Sequence, residues 1–132
     1  MTCLIDTHVF LWAVMEPKRL SRSHRDVLKE GSAQIFVSVV SFWEISLKYG
    51  IGKLDLRGVT PSELLPAAEK MDLRVLALEP EEAATFDQLP QTSHKDPFDR
   101  LIIWQAIRGN WPLLTADSKL QNYSAFGLKI VI

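Results

Sequence analysis

Short apolar segments alternate with helix-like segments along the whole chain, and this alternation constrains the fold more than any other feature. Apolar runs that are rich in β-branched residues and lack a polar face predict strands that are buried on both sides. The predicted strands span residues 2–5, 34–40, 73–78, 112–115 and 128–132. Buried strands joined by helices form a parallel sheet covered on both faces. We therefore expect an α/β fold, a three-layer α/β/α sandwich with a central parallel sheet of about five strands.

The predicted elements follow one another without a linker, an internal repeat or a low-complexity segment, which predicts a single domain over residues 1–132. A chain of this size that is 47% hydrophobic and 23% charged is able to bury a core. It has no apolar run long enough to cross a membrane and no pattern of a secretory signal. Its single cysteine, Cys3, has no partner for an internal disulfide. We expect a cytoplasmic protein that does not associate with membranes.

The charge balance limits how the chain could bind nucleic acid. Its formal net charge is −1 at neutral pH. The net charge of the chain therefore does not attract a polyanion such as nucleic acid. Any nucleic-acid binding must use a local patch or a metal ion.

The segment 94–106, HKDPFDRLIIWQA, has the pattern of a buried helix with an acidic N-terminus. Pro97 suits the first position of a helix, which makes Asp96 the N-cap and Asp99 the third helical residue. The residues that follow are apolar nearly all round, as in helices buried between other elements. Helix capping alone explains both carboxylates, so this segment does not assign a site by itself.

Four acidic residues are expected to converge at one edge of the predicted sheet. Asp6 directly follows the first strand, and Asp117 lies two residues beyond Thr115 at the end of the fourth. Glu44 is predicted in the first turn of the helix after the second strand. The helix that begins near Asp99 must return the chain to the start of the fourth strand, so its N-terminus lies at the carboxyl edge. Parallel sheets bind ligands at this edge.

Such a cluster needs positive charge, because carboxylates that lie together raise one another's pKa. Lys48, Lys95 or Arg100 could supply that charge, and so could a divalent cation. Oxygen ligands suit Mg²⁺ or Mn²⁺, whereas the cysteine and the histidines lack the spacing of a zinc site. We interpret His24 and His94 as solvated residues. A cation here would activate water and neutralise a phosphodiester oxygen, which predicts metal-dependent hydrolysis of a phosphate ester.

Most of these residues have a simpler explanation as well. Ser41 and Glu44 fit a capping box, S-x-x-E, and Asp117 could cap the turn that follows it. Asp6 is hardest to explain in this way, because a carboxylate at the end of a buried strand needs a partner. Arg100 is a candidate contact for a substrate phosphate, and a position on a solvated helix face would explain it too.

Four motifs of the chain resemble those of PIN-domain ribonucleases, and in particular the VapC-type toxins of bacterial toxin–antitoxin pairs. The motifs are Asp6-Thr-His-Val-Phe-Leu-Trp, Trp43-Glu44, Asp96-Pro-Phe-Asp99-Arg-Leu-Ile and Leu-Leu-Thr115-Ala-Asp117, in the family's order over nearly the whole chain. The resemblance implies an endoribonuclease dependent on Mg²⁺ or Mn²⁺ that leaves a 5′-phosphate and a 3′-hydroxyl. It also implies two partners, a cognate antitoxin and a second copy of the chain. Trp104 departs from the family, which more often has a small residue there.

The resemblance also implies which residues of this chain form the acidic site. By position, Asp6, Glu44, Asp99 and Asp117 match the family's catalytic acids, and Thr115 matches a frequent hydroxyl neighbour that positions a ligand or water. Our hypothesis is that Asp6 and Asp99 hold the cation directly and that Asp117 completes its ligands. Glu44 then orients or deprotonates the attacking water.

Two other functions remain open. A phosphatase-type phosphotransfer enzyme would use Asp6 as its nucleophile, although enzymes of the haloacid-dehalogenase type need an acid two residues later, where His8 stands. A non-catalytic module would bind a basic peptide through the same acidic edge. For the homodimer, the exposed members of the group Phe10, Trp12 and Trp43 are the candidate contacts.

Overall fold

A five-stranded sheet in which all paired strands are parallel runs through the computed structural model, which describes residues 1–132. The strand order is β3-β2-β1-β4-β5. The strands are β1 (Thr2–Ile5), β2 (Gln34–Ser38), β3 (Leu73–Leu76), β4 (Leu113–Leu114) and β5 (Ile130–Val131). The predicted parallel sheet is therefore confirmed, although four of the five strands are shorter than predicted.

Six α-helices connect or flank these strands. They are α1 (Thr7–Met15), α2 (Arg22–Lys29), α3 (Val39–Gly50), α4 (Leu64–Lys70), α5 (Pro80–Ala84) and α6 (Pro97–Gly109). Shorter 3-10 segments cover Pro17–Arg19, Pro61–Glu63, Phe86–Gln88 and Ser118–Phe126. No helix of the structure combines the length and the apolar character that a membrane crossing requires.

Two separate hydrophobic clusters lie on the two faces of the sheet. Along β1, Cys3 and Ile5 belong to the cluster that includes residues of α1, α3 and α4, whereas Leu4 belongs to the cluster formed with α6. Alternate residues of a strand point to opposite faces, so β1 is buried on both sides. This arrangement confirms the three-layer α/β/α sandwich.

The strand order reverses between β1 and β4, which lie side by side at the centre of the sheet. The chain crosses from β1 to β2 and β3 on one side, and it returns through α6 to β4 and β5 on the other. The carboxyl ends of β1 and β4 are therefore adjacent, at the place where open α/β sheets bind ligands. The residues that follow these two strands become neighbours.

Helix α6 begins and ends where the sequence predicts. The Asp96 carboxylate accepts hydrogen bonds from the backbone N–H groups of Phe98 (2.9 Å) and Asp99 (3.1 Å), with Pro97 at the first helical position. The C-cap, Asn110, has the left-handed conformation with a φ of 54°. Six of its 13 residues are buried, and its N-terminal residues lie at the carboxyl edge of the sheet.

Helix α3 begins three residues earlier than predicted, and this changes the position of Glu44. The N-cap is Ser38, whose hydroxyl accepts the N–H of Val40 at 3.0 Å. Ser41 therefore lies inside the helix, and Glu44 lies in its second turn rather than its first. The capping-box explanation of Glu44 is wrong for this reason.

A buried hydrogen bond joins the helices that follow β1 and β2. The Thr7 hydroxyl of α1 donates to Ser41 Oγ of α3 at 2.9 Å, and both side chains are buried. We expect Ser41→Ala to lower the free energy of unfolding by about 1–2 kcal/mol, because it leaves the Thr7 hydroxyl without a buried partner. Urea unfolding measures this change.

The double variant Thr7→Val/Ser41→Ala is the control for that measurement. Removing both partners leaves no unsatisfied donor, so the double variant should lose less stability than the sum of the two single losses. Additive losses would show that the hydrogen bond does not couple α1 to α3.

Candidate metal centre

Three of the four predicted acids line one open pocket at the carboxyl edge of the sheet. Asp6, Asp99 and Asp117 share a cavity of about 340 Å³. The other residues that line it are His8, Trp12, Ala116 and Leu120. Asp6 follows β1, Asp117 follows β4 and Asp99 lies in the first turn of α6, so the strand reversal and the return of α6 bring them together.

Asp6 joins the central strand to α1. Its backbone N–H donates to the carbonyl of Leu114 in β4 at 3.0 Å, and its carboxylate accepts the N–H of Val9 at 2.8 Å. Burial raises the pKa of Asp6, while hydrogen bonds from Thr115 and Val9 oppose the rise without cancelling it. The carboxylate therefore carries its charge at a cost in the metal-free protein.

Asp99 is the acid that the two parts of the site share. Its pKa is raised to about 6, by burial first and by the charges of Asp96 and Glu44, against the hydrogen bond and charge of His94. Carboxylate oxygens of Glu44, Asp96 and Asp99 all lie within 4.8 Å of one another. Asp99 thus has Asp6 and Asp117 on its pocket side and two further carboxylates close by.

Glu44 is not among the residues that line this pocket, and it borders a separate small cavity with Thr7 and Lys48. Its side chain is almost completely buried, with the residue only 2% exposed. Oε2 accepts a hydrogen bond from the Lys48 ammonium, and Oε1 has no hydrogen-bond partner. An unpaired buried carboxylate oxygen is costly, so this atom is an acceptor available to a further partner.

Lys48 is the cation that partly compensates this group of acids. Burial lowers its pKa, but the hydrogen bond and charge of Glu44, with the charges of Asp96 and Asp99, raise it overall. The other lysine considered from the sequence, Lys95, is exposed to solvent. A single ammonium therefore faces several carboxylates, and the local charge remains negative.

Thr115 ties the ends of the two central strands together. It is completely buried, its Oγ1 accepts the N–H of Asp117 at 3.1 Å, and its side chain hydrogen-bonds Asp6. Asp117 itself caps the 3-10 segment that follows by accepting the N–H of Lys119 at 3.0 Å. The capping role of Asp117 and its place in the pocket wall are thus compatible.

The structure does not place Arg100 with the acids, which corrects its assignment as a substrate contact. Arg100 is only 6% exposed, so a position on a solvated face is also wrong. Its Nη2 donates to the carbonyls of Leu89 (3.0 Å) and Pro90 (3.2 Å), and its Nε donates to the Tyr123 hydroxyl at 3.3 Å. These bonds direct the guanidinium to the loop before α6, away from the pocket.

Two histidines that we interpreted as solvated are also buried or partly buried. His94 is part of the site, with its Nε2 3.0 Å from Oδ2 of Asp99 and its Nδ1 4.0 Å from Oδ2 of Asp117. His24 is buried beside β5, with its Nε2 2.6 Å from the carbonyl oxygen of Val131, and its charge opposes the rise of the Asp6 pKa. The nearness of His94 to the start of α6 was the only sequence signal for its role. Asp96, which N-capping explained fully, also lies in the acidic group.

The donor set fits a hard divalent cation. The groups around Asp99 are carboxylates, the ligands that Mg²⁺ and Mn²⁺ prefer. Two observations show a need for further positive charge, the raised pKa of Asp99 and the unpartnered Oε1 of Glu44. The fold and this site together define an α/β protein with an acidic centre, suited to a divalent cation, at the reversal point of its sheet.

Comparisons with known proteins agree with this class. Residues 3–125 match the PIN domain. Over 122 residues, 92% of each chain, the sequence is 33% identical to Ribonuclease VapC22 of Mycobacterium tuberculosis. The chain belongs to the PIN domain family.

Solved structures share the fold over the whole chain. The VapBC2 structure from Rickettsia felis, bound to a DNA fragment from its promoter, has a TM-score of 0.72 at 16% identity and covers 99% of this chain and 98% of that one. The VapBC-1 structure from nontypeable Haemophilus influenzae has a TM-score of 0.69 at 15% identity, with 99% and 97% covered. The fold is therefore conserved at identities too low to compare function.

We expect Asp99→Asn to stabilise the metal-free protein at pH 7.5. The folded pKa of about 6 lies above the ordinary value of 3.8, so the stability linked to this group is full at low pH and is lost as the pH rises through 6. Removing the charge should raise the free energy of unfolding by about 1–2 kcal/mol, after discounting for partial exposure. Urea unfolding in EDTA measures this.

The pH dependence and a matched variant check the cause. The gain from Asp99→Asn should shrink toward pH 4.5, where the wild-type Asp99 is protonated. Asp87→Asn makes the same change at an exposed position and should leave stability unchanged. A lower stability of Asp99→Asn at pH 7.5 would contradict the cost that burial and the neighbouring carboxylates impose on the Asp99 charge.

Lys48→Met should have the opposite effect. It leaves the buried Glu44 carboxylate without its cation, so we expect the free energy of unfolding to fall by about 2 kcal/mol. The loss is smaller than for a fully buried ion pair because Lys48 is partly exposed. Glu44→Gln in the same chain should restore much of the loss. Lys29→Met, at an exposed position, is the control, and an equal effect of both lysine variants would reject the interpretation.

Proposed function

We propose that this chain is a metal-dependent endoribonuclease and the toxin of a toxin–antitoxin pair. The observation that carries the proposal is the meeting of Asp6, Asp99 and Asp117 in one pocket, with the carboxylate of Glu44 close to Asp99. The relative that is a third identical over 92% of its length is named a ribonuclease, which supports the same activity.

In this proposal some residues hold the cation, and another orients or deprotonates the attacking water. Asp6, Asp99 and Asp117 would hold Mg²⁺ or Mn²⁺. Once bound, such an ion lowers the pKa of a bound water and neutralises charge on a phosphodiester oxygen. Glu44 orients or deprotonates the attacking water through Oε1, because Oε2 is already engaged by Lys48. Thr115 keeps Asp6 and Asp117 in register through its two hydrogen bonds.

The reaction is the hydrolysis of one RNA phosphodiester bond. The water oxygen bonds to phosphorus, the bond from phosphorus to the 3′-oxygen breaks, and the 3′-oxygen takes a proton. The products are a 5′-phosphate and a 3′-hydroxyl. An RNA phosphate is repelled by these carboxylates when the cation is absent, so we expect both binding and cleavage to require it.

We also propose two protein partners in the reducing cytoplasm. The first is a cognate antitoxin that places an arginine among the pocket carboxylates, supported by the acidic charge of the pocket and by the VapBC complexes that share the fold. The second is another copy of the chain. Of the candidate aromatic contacts, Phe10 is excluded because it is completely buried, whereas Trp43 is 57% exposed and Trp12 is partly exposed.

Cleavage of total cellular RNA, mapped with and without divalent metal, tests the enzymatic proposal. We expect cleavage with Mg²⁺ or Mn²⁺, none in EDTA, and 5′-phosphate ends. Asp6→Asn should reduce the cleavage rate by about 100-fold or more, because it removes a direct ligand. The matched variant Asp87→Asn should cleave as the wild type does.

Other outcomes point to the alternative functions. Full activity of Asp6→Asn would remove the site assignment. A phosphoaspartate trapped at Asp6 would indicate a phosphotransfer enzyme. Binding of a basic peptide with neither cleavage nor specific binding of Mg²⁺ or Mn²⁺ would indicate a non-catalytic module.

A further inference from the structure

His94 lies between two acids of the pocket that come from different parts of the fold. It is on the loop 89–95 before α6, and its side chain is 18% exposed. Nε2 faces Asp99 in the first turn of α6 at 3.0 Å, and Nδ1 faces Asp117 after β4 at 4.0 Å. None of the roles described above uses this side chain.

The contact with Asp99 has a defined direction. When Asp99 is ionised its carboxylate only accepts hydrogen bonds, so the form of His94 that fits this contact carries its hydrogen on Nε2 and donates it to Oδ2. This bond engages one carboxylate oxygen, orients the carboxylate and leaves Oδ1 available for another partner. Hydrogen bonds of this kind orient the ligands of many protein metal sites.

A chain of hydrogen bonds holds the loop that carries His94. The backbone N–H of His94 donates to Oγ1 of Thr92 at 3.1 Å, and the Thr92 hydroxyl donates to the Tyr123 hydroxyl oxygen at 2.8 Å. Arg100 donates to that same oxygen at 3.3 Å and to the loop carbonyls of Leu89 and Pro90. We call Thr92, Tyr123 and Arg100 the loop clamp.

The clamp connects the same elements that supply the two acids. Arg100 directly follows Asp99 in α6, and Tyr123 lies in the 3-10 segment that Asp117 caps. Tyr123 is completely buried and Arg100 nearly so. Because the clamp is anchored at both ends in the core, the position of the loop relative to both acids is restricted.

We propose that His94 is a positioning residue that orients the Asp99 carboxylate for the cation, and that the loop clamp holds His94 in place. This inference rests on the proposed metal-dependent function. It gives Arg100 a role through the loop in place of the substrate contact expected from the sequence.

Titration calorimetry of Mn²⁺ into the metal-free full-length protein at one pH tests the role of His94 without measuring activity. His94→Ala should weaken Mn²⁺ binding about 10-fold. His94→Gln should bind within about 3-fold of the wild type, because the glutamine amide can donate the same hydrogen bond. Ser93→Ala, a change at an exposed neighbour in the loop, is the control and should bind as the wild type does.

A second set of variants tests the clamp. Thr92→Val and Tyr123→Phe each remove one hydroxyl with little change in volume, and each should weaken Mn²⁺ binding about 3-fold. If the clamp acts through His94, adding either change to His94→Ala should weaken binding no further. Tyr49→Phe removes an exposed hydroxyl outside the clamp and should have no effect.

The outcomes separate this inference from the proposed function. Failure of the wild type to bind Mn²⁺ would reject the metal centre and the inference with it. Wild-type binding with unchanged affinity in His94→Ala would reject the role of His94 alone, as would equally weak binding by His94→Ala and His94→Gln. Full additivity of Thr92→Val and His94→Ala would reject the clamp.

Discussion

The burial of several carboxylates at the carboxyl edge of the central strands, with mutual repulsion added around Asp99, is the constraint on which the rest of this structure depends. Asp6 and Asp99 both have raised pKa values, and Glu44 is buried with one oxygen unpartnered. Each of these features costs stability in the metal-free protein. A protein that retains several such costs in one place is organised there for a ligand rather than for stability.

The fold explains why the charge is concentrated in this place. Asp6 and Asp117 follow strands that are neighbours only because the strand order reverses between β1 and β4. Helix α6 must run back to the start of β4, so the first turn that carries Asp99 lies at the same edge. The parallel topology and the site are thus one arrangement, and neither the short strand β4 nor α6 could move without separating the acids.

Part of the fold and of the site could be predicted from local sequence signals, whereas other helix bounds and residue roles depend on long-range contacts. The start of α6 follows from Asp96 and Pro97, whose effects act within one turn. The start of α3 could not be predicted in this way, because Val39 and Val40 favour a strand locally. The N-cap of α3 is Ser38, and its hydroxyl also donates to Gln105 of α6 at 2.6 Å, a contact that the local sequence does not indicate. Arg100 was misassigned for the same reason, since its partners depend on the path of a distant loop.

The basic side chains within the site lead to a more specific conclusion about Asp6. Lys48 contacts Glu44, and His94 lies 3.0 Å from Asp99 and 4.0 Å from Asp117, so three of the acids have a basic side chain as a direct partner. Asp6 accepts hydrogen bonds only from neutral donors, a backbone N–H and a threonine side chain, and the more distant His8 and His24 oppose the rise of its pKa only in part. Neutral donors offset part of the cost of burying a charge, but they do not cancel the charge. Among these acids we therefore expect Asp6, which lines the open pocket, to be stabilised most by a cation bound there.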